Sequence, residues 1–363
     1  TIMNNFLLLI TNRLILITLL LCSTFSFGQL AEDKPTILVI HSWHDILWDR
    51  LWEKALQDKL SNKYNLVRYD LDAMRITPEQ LKENSNEAWD LYQSIKPSLV
   101  ILGDDVALAE MGLRFANKLP VVYLGINNNP RSLLGSIVPS NITGVMERPL
   151  YERALRHIIE LLPEDTDRVL FLNDSEQVGA SVTNISNIFM GNSTTKIGNV
   201  TIELQITNEW EKWQQTVIEA KSSGYDAILF DSRYLLFDKN GTYIEPEPGV
   251  IRWMAKNSEL PMFNFYEDSI GPQLSAGGWV LSGYGIGLAA ADIVKDILEN
   301  SKKPKDIYPV NYRKGEYIFS RTQLKRWGIT LPEHIYNKAT FAEDLHKLYS
   351  FDCKNYPNSI CFD

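Results

Sequence analysis

The sequence predicts an α/β protein made of two successive units, each a parallel sheet covered by helices, with a cleft between them. Three observations carry this. Short β-branched apolar runs alternate with segments whose apolar residues recur at helical spacing. The rhythm stops in a polar stretch at 127–141 and then restarts. The chain has 363 residues, 45% hydrophobic and 22% charged, which suits two domains of roughly 100–200 residues, each burying its own core.

The elements follow in order. Thr36 to His41 (TILVIH) reads as a strand, and Ile46, Leu47, Leu51, Trp52, Ala55, Leu56 and Leu60 then mark one helical face. Tyr64 to Asp72 is strand-like. A helix is predicted over Pro78 to Ile95, with Thr77 as N-cap, Pro78 at the first helical position and Gln80 closing a capping box. Strand Pro97 to Leu102, helix Val106 to Asn117 and strand Pro120 to Gly125 complete the first unit. Continuous apolar strands of this kind belong to parallel sheets buried on both faces. After the polar loop, Pro149 opens a helix carrying Leu150, Ala154, Leu155, Ile158, Ile159 and Leu162 on one side. Strand Arg168 to Leu172, helix Gln177 to Phe189, strand Val200 to Ile206 and helix Trp210 to Ser222 come next. Strand Asp226 to Phe230, helix Val250 to Asn257 and strand Pro261 to Phe265 finish the second unit, whose join to the first is placed at Gly144 to Pro149. Trp279 to Leu298 reads as a further strand and helix. Tyr317 to Ala342 reads as a strand and two short helices.

The N-terminus reads as a targeting segment. Arg13 precedes the run Leu14 to Cys22, apolar except for Thr18, and Ser26-Phe27-Gly28 places small residues at the cleavage positions. A signal peptide over residues 1–28 is expected, removed before Gln29, with the mature chain in the periplasm. The apolar run is far short of the ~20 residues needed to span a bilayer. The formal charge is −9, without a run of basic residues, which argues against nucleic acid or an anionic membrane surface as partner. In an exported chain, Cys353 and Cys361, closing the short loop CKNYPNSIC, are expected to form a disulfide.

In open α/β sheets ligands sit beyond the carboxyl ends of the strands. Those ends here are His41-Ser42-Trp43-His44, Gly103-Asp104-Asp105 and Gly125-Ile126-Asn127-Asn128-Asn129. In the second unit they are Asn173-Asp174-Ser175-Glu176, Asp231-Ser232-Arg233-Tyr234 and Asn264-Phe265-Tyr266-Glu267. All six are polar, and several are aromatic as well. Two units facing each other with such ends make a ligand trap.

The stretches KPSLVILGDDVALAEMG, PVVYLGINNNPR, NITGVMERPLYERAL and YIFSRTQLKRWGITLPEHI, in this order, resemble the ABC transporter substrate-binding family related to tryptophan- and tyrosine-binding proteins. Similar sequences also occur as sensor domains of signalling kinases. The resemblance covers roughly Pro35 to Ala342. It implies the type I periplasmic binding protein fold, with lobe 1 at 34–144 plus 272–303, lobe 2 at 145–271 plus 304–341, and a C-terminal tail at 342–363. It implies capture of a small molecule for an ABC permease, with a membrane sensor as the alternative partner, and a monomer is expected.

Competing chemistries are weaker. His41, His44 and Asp45 share a strand-to-helix loop, but five histidines in the whole chain offer no obvious third ligand, so no metal is expected. Cleft lining for His41, Ser42 and Trp43, and an N-cap role for Asp45, are the simpler readings. Gly285-Ile286-Gly287-Leu288-Ala289-Ala290 matches a dinucleotide fingerprint, yet no acidic strand end follows ~20 residues later; close helix packing accounts for these glycines. No G-x-S-x-G, H-E-x-x-H or phosphate loop appears, so neither catalysis nor a cofactor is expected. The residues expected to hold the ligand are Ser42, Trp43, Trp48, Asp104, Asp105, Asn127, Asn128, Asp174, Ser175, Asp231, Arg233, Tyr234, Tyr266 and Glu267. Carboxylates here can hold an ammonium, Arg233 or a helix N-terminus a carboxylate, and the aromatics a ring or a sugar face. An aromatic amino acid satisfies these together; a sugar or other polar metabolite is the alternative.

Overall fold

Alternating faces explain the architecture. In the computed structural model β1 (Thr36–His41), β2 (Asn65–Asp70), β3 (Leu99–Gly103), β4 (Val121–Ile126) and β5 (Ile142–Glu147) come first in the chain. They are followed by β6 (Arg168–Asn173), β7 (Thr194–Ile197), β8 (Val200–Ile206), β9 (Ala227–Phe230) and β10 (Met262–Phe263). Late in the chain lie β11 (Gly277–Leu281), β12 (Val310–Tyr312), β13 (Gly315–Phe319) and β14 (Thr340–Phe341). The first sheet has the order β12-β5-β4-β3-β1-β2 and the second β10-β9-β6-β8-β7. All pairings in the first sheet are parallel, as crossover helices require. In the second sheet the edge strand β7 runs antiparallel to β8, a departure from the all-parallel expectation.

The structure describes residues 34–44, 46–149, 151–174, 188–245 and 249–349. The expected signal peptide, the Asp45 cap, Ser175, most of the helix at 177–189 and the Cys353–Cys361 pairing lie outside these residues. Residues 36–363 form one unit and residues 1–35 another; in the latter Lys34 and Pro35 are exposed.

Each sheet is buried on both faces because alternate side chains point opposite ways. Ile37, Val39, Ile101, Val122 and Leu124 pack on one side of the first sheet. Leu38, Ile40, Val100, Leu102 and Tyr123 pack on the other. In the second sheet Val169, Phe171 and Leu229 face one cluster, while Leu170, Leu172, Ile228 and Phe230 face its counterpart. The helices that matter for the site are α1 (Leu47–Leu60), α2 (Pro78–Ile95), α3 (Asp104–Met111) and α4 (Pro130–Leu134). With them belong α5 (Tyr151–Leu161), α6 (Trp210–Glu219), α7 (Ile251–Asn257) and α8 (Gly283–Leu298). The start of α2 carries the expected capping box. Thr77 Oγ1 accepts from the Gln80 amide, and the Gln80 side chain accepts from the Thr77 amide at 2.9 Å.

The glycines of α8 serve packing, as expected. A Cβ on Gly287 would stand 2.3 Å from the Trp52 carbonyl oxygen and 2.7 Å from Ala55 Cβ. Only a residue without a side chain lets α8 lie this close on α1. Gly283 abuts Leu51 and Trp48 in the same interface.

Three features depart from the sequence reading. Ile142–Glu147 is a full strand, where the sequence pattern places the join of the two units at Gly144 to Pro149. Val310–Tyr312, assigned above to the second lobe, pairs with Val145–Glu147 in the first sheet. Finally β11, β13 and β14 make a third, small sheet, with β11 antiparallel to β13.

Candidate functional site

The strand ends converge on one cleft of about 660 Å³, counted out to its open mouth. Every strand of the first sheet from β3 to β5 contributes through its carboxyl end: Asp104 and Asp105 after β3, Asn127 after β4, and Glu147 as the last residue of β5. Trp43, Ile46 and Trp48 come from the connection leaving β1 and the start of α1, and Met74 from the segment after β2. The second sheet supplies Asp231, Ser232, Arg233 and Tyr234 after β9, and Tyr266 and Asp268 after β10. This is the position in which open α/β sheets bind ligands.

Local hydrogen bonds set these side chains. Trp43 Nε1 donates to Asp104 Oδ2 at 2.8 Å, and Asp104 Oδ1 accepts from the Asp105 amide at 2.7 Å. Asp104 itself has φ 71°, a left-handed conformation rare for a side-chain-bearing residue, at the sharp turn from β3 into α3. Asp105 accepts from the Asn128 amide at 3.2 Å and from Asn128 Nδ2 at 2.8 Å. In the second sheet, Tyr151 donates its hydroxyl to Asp231 Oδ2 at 2.7 Å and lies 3.1 Å from the Tyr266 hydroxyl. Arg233 donates to Asp268 Oδ2 at 3.2 Å and stacks over the Tyr234 ring at 4.9 Å. Trp48 meets the Tyr266 ring edge-on at 5.4 Å.

The cleft is acidic. Among the described residues five carboxyl groups line it, from Asp104, Asp105, Glu147, Asp231 and Asp268, with Arg233 as the one lining cation. Burial, and the carboxylate of Asp105 beside it, push Asp104 above the usual carboxylate range. Burial also raises Asp105, against the opposing hydrogen bonds from Asn128. Glu147 is pushed well up, chiefly by burial and then by the nearby Asp104. It is 3% exposed, and its Oε2 has no hydrogen-bond partner among the described residues.

Of the residues expected here, Trp43, Trp48, Asp104, Asp105, Asn127, Asp231, Arg233, Tyr234 and Tyr266 stand around this cleft. Four expectations need correction. Ser42 is buried; its hydroxyl donates to the Gly103 carbonyl at 2.7 Å and accepts from the Ala107 amide at 2.8 Å. Asn128 does not line the cavity but holds Asp105. Asp174 is fully buried and accepts from the Leu235 amide at 2.6 Å, bracing the loop after β9. Glu267 accepts from the Ser282 hydroxyl at 2.7 Å, and Ser282 caps α8. His41 is likewise interior rather than lining: it bonds Asp49 at 3.0 Å and stacks on Trp52 at 4.3 Å. His44 bonds Asp70 at 2.7 Å, and among the described residues no group of His, Cys, Asp or Glu is arranged to hold a metal ion.

The sequence reading missed Ile46, Met74, Glu147, Ser232 and Asp268. Glu147 was findable: it ends an apolar run facing the same way as the other strand ends, but the run was not recognised as a strand.

Two sheets, the first parallel and the second parallel but for its edge strand β7, whose carboxyl ends share one polar, aromatic cleft, make the type I periplasmic binding protein fold. The match to the family model described as ABC transporter substrate binding protein spans residues 53–342, and the chain belongs to that family. This is a solute-binding class without catalytic activity, typically extracytoplasmic, that works with ABC permeases. Among solved structures, the chain is similar to an ABC domain in complex with L-Trp from Streptococcus pneumoniae, at 16% identity and a TM-score of 0.61, covering 85% of this chain and 99% of that one. It is also similar to a ligand-free, open substrate-binding protein with adhesive properties from Clostridium difficile, at 9% identity and a TM-score of 0.61, covering 85% and 98%. A conserved domain protein from Vibrio cholerae matches at 13% identity and a TM-score of 0.59, covering 85% and 99%. At these identities the likeness is one of fold. Comparison with curated protein sequences gives no match.

Proposed function

We propose that this protein captures a small, amine-bearing solute in the cleft between its two sheets, outside the cytoplasmic membrane, and hands it to an ABC importer. One observation carries the reading: carboxyl groups and aromatic rings from both sheets converge on a single cleft. The charged groups suit an ammonium, and Trp43, Trp48, Tyr234 and Tyr266 suit an apolar or ring-shaped body beside it. Amino acids with large side chains and their amine relatives both fit that description, and the Streptococcus pneumoniae neighbour was solved with L-Trp. Closure of the two lobes over the solute would exclude water and strengthen each charged contact. The signal peptide expected at 1–28 supports export, and the family supports an importer permease as the partner.

A thermal-shift screen of amino acids, amines, sugars and nucleosides tests this. A ligand at 100 times its dissociation constant stabilises by about 2.7 kcal/mol, and an amine-bearing compound is expected to produce the largest shift. If only sugars or nucleosides raise the melting point, the amine reading is wrong.

A further inference from the structure

Among the described residues the cleft is lined by more carboxyl groups than cations. Arg233, its one lining cation, is already bonded to Asp268. Arg148, the nearest arginine in sequence to Glu147, bonds to the carbonyls of Ile126 and Asn127 at 2.8 Å. The amino end of α3 stands at the cleft through Asp104 and Asp105, and a helix amino end is the usual place for a ligand carboxylate. Here the Asp105 amide is taken by Asp104 and the Ala107 amide by Ser42. An incoming carboxylate would therefore meet chiefly acids, with the Ser232 hydroxyl as the one buried lining donor, Arg233 aside, that is without a hydrogen-bond partner among the described residues. An incoming ammonium would meet Glu147, which is almost wholly buried, lines the cavity and leaves Oε2 without a hydrogen-bond partner among the described residues. A buried carboxylate oxygen without a donor is costly unless something completes it.

Resting on the solute-capture reading and narrowing its ligand, we propose that the cleft selects organic cations, amines that lack a carboxylate, and that Glu147 with Asp104 and Asp105 receives the ammonium. The aromatic faces of Trp43 and Tyr266 then flank the cation or the carbon body attached to it. The groups facing Glu147 are Asp104 and Asp105 from α3, Asp231 after β9, Tyr151 and Tyr266 through their hydroxyls, and Arg148 next in the chain. Acids dominate this set, so burial holds Glu147 toward its protonated form in the empty cleft. A bound cation favours the carboxylate. Amine binding is accordingly accompanied by proton release and tightens as pH rises.

Matched pairs that differ only in the carboxylate test the proposal: tryptamine against L-tryptophan, tyramine against L-tyrosine, and agmatine against L-arginine, each by isothermal titration calorimetry. The amine of at least one pair is expected to bind more than tenfold tighter than its amino acid. Its heat should differ between two buffers of unlike ionisation enthalpy in the sense of proton release. Glu147→Gln, which keeps the shape and removes the charge, is expected to weaken that amine more than tenfold while the empty protein melts no lower than wild type. If the amino acid of each pair binds as tightly as its amine, the proposal fails and solute capture stands. It fails in the same way if none of the six binds but the screen finds a neutral or anionic ligand. If no compound of either set binds, solute capture fails with it.

Discussion

Gly287→Ala probes the contact on which the first-sheet half of the cleft is built. The added Cβ would sit 2.3 Å from the Trp52 carbonyl oxygen, 2.7 Å from Ala55 Cβ and 2.8 Å from Trp52 Cα. Two of these three atoms are backbone, so no rotamer change relieves the clash. Restoring ordinary contact requires α8 and α1 to part by about 1 Å, and a gap of that order forfeits a quarter to a half of each contact along the seam. Overpacking of this kind costs about 1–3 kcal/mol, against about 1 kcal/mol gained by replacing glycine inside a helix. Because the obstacle is main chain, the upper part of that range applies. The net expectation is a loss of about 2 kcal/mol, or about 3 °C in melting midpoint for a chain of this size. Trp48 lies one turn before Trp52 on the same helix and lines the cleft, so ligand affinity should fall as well. Urea unfolding followed by tryptophan fluorescence measures the first effect, with Gly249→Ala as control, since a Cβ there meets nothing within 4 Å. A Gly287→Ala protein as stable as wild type, with unchanged affinity, would refute the packing argument.

Two further perturbations separate structure from binding. His41 and Asp49 form a buried pair in which burial lowers the histidine to about 4 and raises the aspartate to about 8. Between about pH 4 and 6.5 the unfolded chain takes up a proton at His41 and gives one up at Asp49, so the pair's contribution is flat. Between 6.5 and 8 only Asp49 differs, the native state holds the extra proton, and stability falls with rising pH by up to about 1.4 kcal/mol per unit. Asp49→Asn should remove that slope; a urea-midpoint series from pH 5 to 9 in which both proteins decline equally would contradict it. Ser42→Ala removes the hydroxyl to which the buried Ala107 amide donates, while the Gly103 carbonyl keeps the Ser42 amide, at a cost of about 1–3 kcal/mol. Its effect should appear in melting temperature, with ligand affinity reduced less than tenfold; a larger loss of affinity at unchanged stability would return Ser42 to the binding set.

Much of the fold could be read in the sequence because its signals were local. The α2 boundaries follow from Thr77, Pro78 and Gln80, which satisfy the helix's first amides without reference to the rest of the chain. The strands β1 and β3 stand out because burial on both faces makes them continuous or nearly continuous apolar runs. What escaped depended on distant partners. In β5, Gly144 looked like a joint, yet it is a glycine because a Cβ there would stand 2.1 Å from the Tyr123 carbonyl oxygen across the pairing with β4. The three residues of β12 carry no strand signal of their own, and their partner lies in β5, far back in the chain. Missing β5 meant missing Glu147. The site set erred in the opposite direction for a related reason. Strand ends need polar residues to satisfy turns and helix starts as well as to meet ligands. Ser42, Asn128, Asp174 and Glu267 do the former and Asp105, Asp231 and Tyr266 face the cavity, yet all stand at equivalent places in the pattern.

The central claim is that the cleft holds one small solute reversibly and leaves it unchanged. Native mass spectrometry of the purified chain, incubated with the compound giving the largest thermal shift, tests it directly. The account predicts a complex of one ligand per chain, lost in Glu147→Gln, that releases the compound at its original mass when the protein is unfolded. Absence of a complex, or recovery of the compound at an altered mass, would contradict it.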